Sequence, residues 1–281
     1  MKKYLVTLAV AIWVSGCSTT PTDSLGEYTP TLYLEGYLIA GRSVDSVYVG
    51  TTTPLLETFA REDVGLPDAT VVITVDDVSQ TLASVGGGYY SSANLIVETG
   101  KTYAFLVETS LGQMSGSTTV PQPPSLSATG SVVSADLTSI EIGWEGLTEA
   151  GYVTTRKPVT LGESIPVAFQ FGGGRFGGGF GGAGIDTTGF GARRDSLAQA
   201  EQWRFMREGS TAIINFNSFT RFGTYTMLVY TLDSNYGDFL VSSQQDPRLL
   251  DEPRFSVQGG VGLLASMAPD SIVYEVIAAN P

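Results

Sequence analysis

Between Leu32 and Ile277 the chain keeps returning to one pattern, an apolar residue at every second position, and that period decides its conformational class first. A strand turns successive side chains to opposite faces, so such a run buries one face and wets the other. Leu32 to Ile39, Val44 to Val49, Thr70 to Val75, Thr102 to Val107 and Ser115 to Val120 all read as strands. Val71, Ile73 and Val75 share a face in the third, and Tyr103, Phe105 and Val107 in the fourth. Glycine and aspartate clusters such as Gly86-Gly87-Gly88 separate these runs, and no helical repeat competes with them. The expected fold class is therefore all-β. The sequence holds a single cysteine, so no disulfide within the chain can support it, and packing alone must.

Consecutive prolines exclude both helix and ladder pairing, which makes residues 121–124, Pro121-Gln122-Pro123-Pro124, the expected spacer between two modules. Residues 31–120 form the first expected β-sandwich and 125–281 the second. In the second, Ser139 to Glu145 places Ile140, Ile142 and Trp144 on one face. Further strands are expected at Pro166 to Phe171, Ala212 to Phe216, Thr224 to Tyr230 and Ile272 to Ile277, with short helices at Asp195 to Arg207 and Ser234 to Gln244. An early strand tryptophan, Trp144, and a late strand Gly223-Thr224-Tyr225 running to Val229-Tyr230 resemble fibronectin type III modules. The expectation is two tandem sandwiches of immunoglobulin or fibronectin III-like type with one or two short helices.

The address is written at the amino end. Lys2 and Lys3, the apolar run Leu5 to Val14, and Ser15-Gly16-Cys17 form a basic start, a short apolar core and small residues before the cysteine. The run is about half the roughly 20 residues that a membrane-spanning helix needs. It resembles the lipobox of bacterial lipoproteins, which implies a signal peptide over residues 1–16 cleaved after Gly16 and acyl chains on Cys17. Ser18 rather than aspartate follows the cysteine, which in this class implies the outer membrane, in either leaflet. Residues 17–30, polar and with two prolines from Ser18 on, read as a flexible tether.

Composition narrows the chemistry. Histidine is absent, which removes the commonest general base, the Ser-His and Cys-His nucleophile pairs, and the usual zinc and copper ligands. Loss of Lys2 and Lys3 with the leader takes the formal charge from −13 to −15, which disfavours nucleic acid as a partner. The glycine-rich loop at residues 172–191 lacks the Gly-Lys-Ser/Thr of a phosphate cradle and reads as an insertion or a phenylalanine-bearing arm. Gly260-Val261-Gly262-Leu263-Leu264-Ala265 matches a dinucleotide fingerprint only on paper, since too little chain follows for the crossover helix and second strand; a tight turn or bulge is expected there. Asp233 to Asp238 misplaces the glycine of a calcium loop and is read as a helix cap through Asp233 or Ser234. Asp76-Asp77 and Asp251-Glu252 are adjacent carboxylates in expected turns, and since sequence neighbours point apart on a strand they give no glycosidase pair.

Several motifs in fixed order, nearly end to end, resemble the lipoprotein family catalogued as domain of unknown function 4249. They are the lipobox Cys17, Leu34-Glu35-Gly36-Tyr37-Leu38, Leu66-Pro67-Asp68-Ala69-Thr70-Val71, Gly100-Lys101-Thr102-Tyr103 before Val120-Pro121, Tyr225 to Leu240, and Gln258 to Gly262. The resemblance implies architecture, an outer-membrane address and association with nutrient-uptake receptors, and no activity. The leading expectation is a non-catalytic binding or scaffold lipoprotein, with no catalytic residue, metal or cofactor, whose partners are the membrane and an envelope receptor. The alternative is a carbohydrate- or surface-binding adhesin, using Tyr89, Tyr90, Trp144, Trp203, Tyr225 or Tyr236 as stacking platforms. A carboxylate-dependent hydrolase is the third reading.

Overall fold

The computed structural model describes residues 28–54, 57–58, 60–136, 139–145, 151–165, 202–206, 211–243 and 254–278. The expected signal peptide with Gly16 and Cys17, most of the expected tether, the expected strand at Pro166 to Phe171, the expected glycine-rich loop at 172–191 and Asp251-Glu252 lie outside these residues. The first half carries strands β1 (Leu32–Ile39) and β2 (Ser43–Thr51), helix α1 (Arg61–Val64), then β3 (Thr70–Val75), β4 (Val78–Thr81), β5 (Ala83–Gly86), β6 (Tyr89–Ile96), β7 (Thr102–Thr109) and β8 (Gly112–Thr119). The second carries β9 (Ser125–Ala128), β10 (Val132–Ser134), β11 (Ser139–Glu145), β12 (Tyr152–Ser164), β13 (Gln202–Met206), β14 (Thr211–Asn215) and β15 (Arg221–Leu232). Helix α2 (Ser234–Ser243) and strands β16 (Val257–Gln258) and β17 (Val261–Ile277) close the described chain.

The all-β expectation holds, and alternation explains why. Along β1, Leu32, Leu34, Gly36 and Leu38 are buried while the residues between them are half-buried. The same period buries Tyr103, Phe105 and Val107 in β7, and Ile140, Ile142 and Trp144 in β11. Two large apolar cores result, with a third, smaller cluster of Val153, Tyr230, Leu232 and Met267 on the other face of the large sheet. One gathers Leu34, Val71, Ile73, Tyr103, Phe105 and Val107; the other gathers Ile142, Trp144, Tyr225, Val229 and Tyr274.

A single nine-stranded sheet, β13-β12-β15-β17-β1-β2-β6-β5 with β10 alongside β17, walls both cores. Against the first core lies the five-stranded sheet β16-β8-β7-β3-β4, and the second core contains residues of the three-stranded sheet β14-β11-β9. Strand β17 joins the two halves. Its Val261–Met267 stretch runs parallel to β1, and its Met267–Val276 stretch runs antiparallel to β15. Leu264 thereby enters the first core, and Tyr274 and Val276 the second.

This differs from the expected division at the proline spacer, which assigned 125–281 to one module. Strand β16 pairs with β8 and the start of β17 pairs with β1, so the last segment contributes a strand to each sheet of the first sandwich. Leu264 shows the physical reason. A Cβ on Gly36 would lie 2.9 Å from its Cδ2, and one on Gly116 2.9 Å from its Cδ1, so two glycines leave the gap that this side chain fills. A second correction concerns Asp195 to Arg207, expected as a helix. Gln202–Met206 instead pair with β12, Val153 opposite Phe205. Helix α2 forms where expected.

Candidate functional site

Strand β1 sets its odd residues, Tyr33, Glu35, Tyr37 and Ile39, on the face of the large sheet opposite the two large cores, where Tyr37 and Ile39 pack against the small cluster of Val153, Tyr230, Leu232 and Met267. Register then brings neighbours to the same face. Tyr48 of β2 stands opposite Glu35, and Tyr89 of β6 opposite Tyr48. Helix α2 delivers Tyr236 from the other side, its ring 5.6 Å from that of Tyr37. Helix α1 delivers Arg61. Its loop is pressed against the Gly86 to Gly88 turn so closely that a Cβ on Gly65 would fall 2.3 Å from the Gly87 carbonyl oxygen.

Glu35 organises these groups. Its Oε2 accepts from the Tyr33 hydroxyl at 2.6 Å and from Arg61 Nη2 at 2.7 Å. The Arg61 guanidinium lies over Tyr48, 5.0 Å from the ring centroid, and its Nη1 reaches the Tyr89 hydroxyl at 3.4 Å. Tyr48 donates its hydroxyl to the Arg61 carbonyl at 2.9 Å, so the same residue is held by backbone and side chain. Tyr48 is buried while Tyr33, Glu35, Tyr37, Arg61, Tyr89 and Tyr236 are only half-buried. With the Arg61 side chain 38% exposed, the ion pair contributes only about 0.5–1 kcal/mol to stability, so Arg61 can be removed without loss of the fold.

The electrostatics favour the neutral phenols of Tyr33, Tyr37, Tyr48 and Tyr236. Burial pushes the Tyr33 hydroxyl up, and its hydrogen bond to Glu35 adds to this. Burial also raises Tyr37, with the Glu35 charge next, and raises Tyr236 in the same order. For Tyr48 burial outweighs the opposing pull of Arg61. The cluster therefore presents hydroxyl donors, π faces, one carboxylate and one guanidinium on three strands and two short helices. Beside it, Ala60, Arg61, Glu62, Gly87 and Tyr89 line an open depression of about 520 Å³. This arrangement suits hydrogen bonding and stacking.

Of the six aromatics expected to stack on a ligand, the structure brings Tyr89 and Tyr236 to this face. Tyr90, Trp144 and Tyr225 are 1%, 3% and 3% exposed and belong to the cores. Trp203 is placed only by its backbone, opposite Thr155. Sequence reasoning missed Tyr33, Tyr37, Tyr48 and Arg61 as site residues. The signal was the Tyr-x-Glu-x-Tyr spacing of β1, which places three polar-tipped residues on one face.

The other motifs resolve structurally. Asp233 caps α2 by accepting from the Tyr236 amide at 2.9 Å, and Thr118 Oγ1 donates to its other oxygen at 2.5 Å. Asn235 donates to the carbonyls of Ser117 and Leu264, both at 2.8 Å, tying the helix to both sheets of the first sandwich. Gly262, the second residue of β17, has φ +139°, and a Cβ there would lie 1.9 Å from the Leu34 carbonyl oxygen, a backbone approach that only glycine permits. Asp76 and Asp77 form the two-residue turn between β3 and β4, both at positive φ. Among the described residues no group of three or more acidic or cysteine side chains could hold a metal ion.

Comparison with known proteins gives a family and a distant structural likeness. The family described as "Domain of unknown function (DUF4249)" matches residues 19–247. No curated protein matches the chain. Among solved structures, the chicken CNTN1 FN1-FN3 domains are 11% identical with a TM-score of 0.27, covering 88% of this chain and 68% of that one. At that score the likeness carries no argument about this chain.

Proposed function

From the premise that the chain belongs to the DUF4249 family, we propose that it is a non-catalytic binding or scaffold lipoprotein of the bacterial outer membrane. Acyl chains on Cys17 hold it there, and its partner is an envelope receptor or nutrient-uptake complex. The observation that carries this reading is the half-exposed face of Tyr33, Glu35, Tyr37, Arg61, Tyr89 and Tyr236. Tyrosine and arginine dominate the energetics of protein interfaces because they combine large buried area with polar tips. Here Glu35 and Tyr48 hold the arginine in place before any partner arrives, which lowers the ordering cost of docking.

A photo-crosslinking residue in place of Tyr89 tests the reading in intact cells. It should capture one envelope protein, and Arg61→Ala should cut that adduct by about tenfold. Adducts no different from those formed at Val273, far along β17, would refute it. Turnover of a small molecule by the purified protein would refute the non-catalytic part. The open depression beside Tyr89 favours a second reading, a carbohydrate-binding adhesin, in which a sugar ring stacks on Tyr89 and hydrogen-bonds Arg61 and Glu62. Glycan-array binding lost in Tyr89→Ala would select it.

A further inference from the structure

We propose that the corner of the first sandwich where β1 begins rests on a bilayer, with Leu111 and Tyr28 seated in its interfacial layer. The inference rests on the reading of Cys17 as an acylated anchor. Leu111 is 59% exposed at the tip of the turn joining β7 to β8. That tip and the entry to β1 form one corner, since a Cβ on the next residue, Gly112, would touch Leu32 Cδ1 at 3.6 Å. Tyr28 is 40% exposed, and its hydroxyl lies 2.5 Å from Thr52 Oγ1 beyond the end of β2. The Thr31 amide donates to the same oxygen at 3.1 Å, which fixes the incoming chain against the corner.

The stretches that form this corner carry no charge of their own. Residues 28–31, 51–54 and 109–113 contain no Asp, Glu, Lys or Arg, in a chain with 28 acidic residues. Exposed Glu57 and Glu108 stand at its edge, Glu108 accepting from Gln113 at 3.3 Å, while Arg61, Glu62, Asp63 and Asp68 stand further along the segment between β2 and β3. An acidic protein approaches a lipid surface with least repulsion where it carries no charge. Leucine and a tyrosine with a polar tip match the interfacial layer. Only ten residues lie between Cys17 and Tyr28, a span of at most about 40 Å whatever their path. Acyl chains on Cys17 therefore keep the corner within reach of the bilayer and replace a weak two-residue contact by a local one.

The test uses the lipidated full-length mature protein in phosphatidylcholine vesicles, with tryptophan placed by Leu111→Trp or, as a second position, Tyr28→Trp. Lipids brominated along their acyl chains should quench the added tryptophan by about half and shift its emission to the blue. A Val273→Trp control should be unaffected. Protein that sediments with the vesicles but shows no added quenching at either position overturns the proposal alone. Protein that fails to sediment overturns the anchor, and the proposal with it.

Discussion

Leu264 offers the sharpest test of the shared architecture. It is fully buried, wedged between Gly36 of β1 and Gly116 of β8, and neither glycine has a side chain to move into a vacated space. Leu264→Ala therefore leaves a cavity that collapses poorly, and the loss belongs at the upper part of the usual range, roughly 3–4 kcal/mol. For a chain of this size that lowers the melting temperature by about 10 °C. The informative assay is amide exchange read by mass spectrometry. Peptides from β1, β7 and β8 should lose protection first, although they lie far from the substitution in sequence, while β11, around the buried Trp144, should lose less. Loss confined to β15 and the end of β17, with β1 and β7 unchanged, would refute the claim that the last strand completes the first core.

Asp233 should make stability depend on pH in an unusual direction. Burial raises its carboxyl above the ordinary value, against the opposing hydrogen bonds from Thr118, Tyr236 and Ser266. A raised folded value means that stability is fully present below the unfolded pKa of about 4 and is lost as pH rises through the folded one. Urea midpoints should fall over that window, and Asp233→Asn, which keeps the capping oxygen, should flatten the difference; parallel profiles would refute this. In the β3–β4 turn Asp77 sits at φ 61°, so Asp77→Gly should raise stability by about 0.5–1 kcal/mol in urea titration. An unchanged or lowered midpoint would contradict that. Cys17→Ala should release the protein into the soluble envelope fraction, and retention in membranes would show that acylation is not the anchor.

Strands with one wet face were legible in the sequence, because alternation is the direct signature of such a strand. Thr70–Val75 and Ser139–Glu145 fall at the residues that the pattern gives. Strands covered on both faces were harder. Leu263, Leu264 and Ala265 are all buried, so their run carries no period, and the glycines before it suggested a turn. β12 was hidden by Pro158, which lies beside a register shift in the ladder to β15. Gln202–Met206 read as helix because its glutamine, arginine and methionine favour one, yet pairing with β12 decided the outcome. At the site, Tyr89 and Tyr236 were among the candidates, whereas Arg61 was not. Its position depends on how the segment before Gly65 packs against a glycine turn more than twenty residues later, which no local pattern records.

The parallel pairing of β1 with β17 also sets a schedule for assembly. A chain made from its amino end offers β1 and β8 long before β16 and β17 exist, so the half that emerges first is finished last. Until then β1 and β8 each leave a row of backbone donors and acceptors without their final neighbours. The nascent protein thus has to be kept from aggregating through nearly its whole synthesis, and a truncation in the last thirty residues should be felt at the opposite end of the chain.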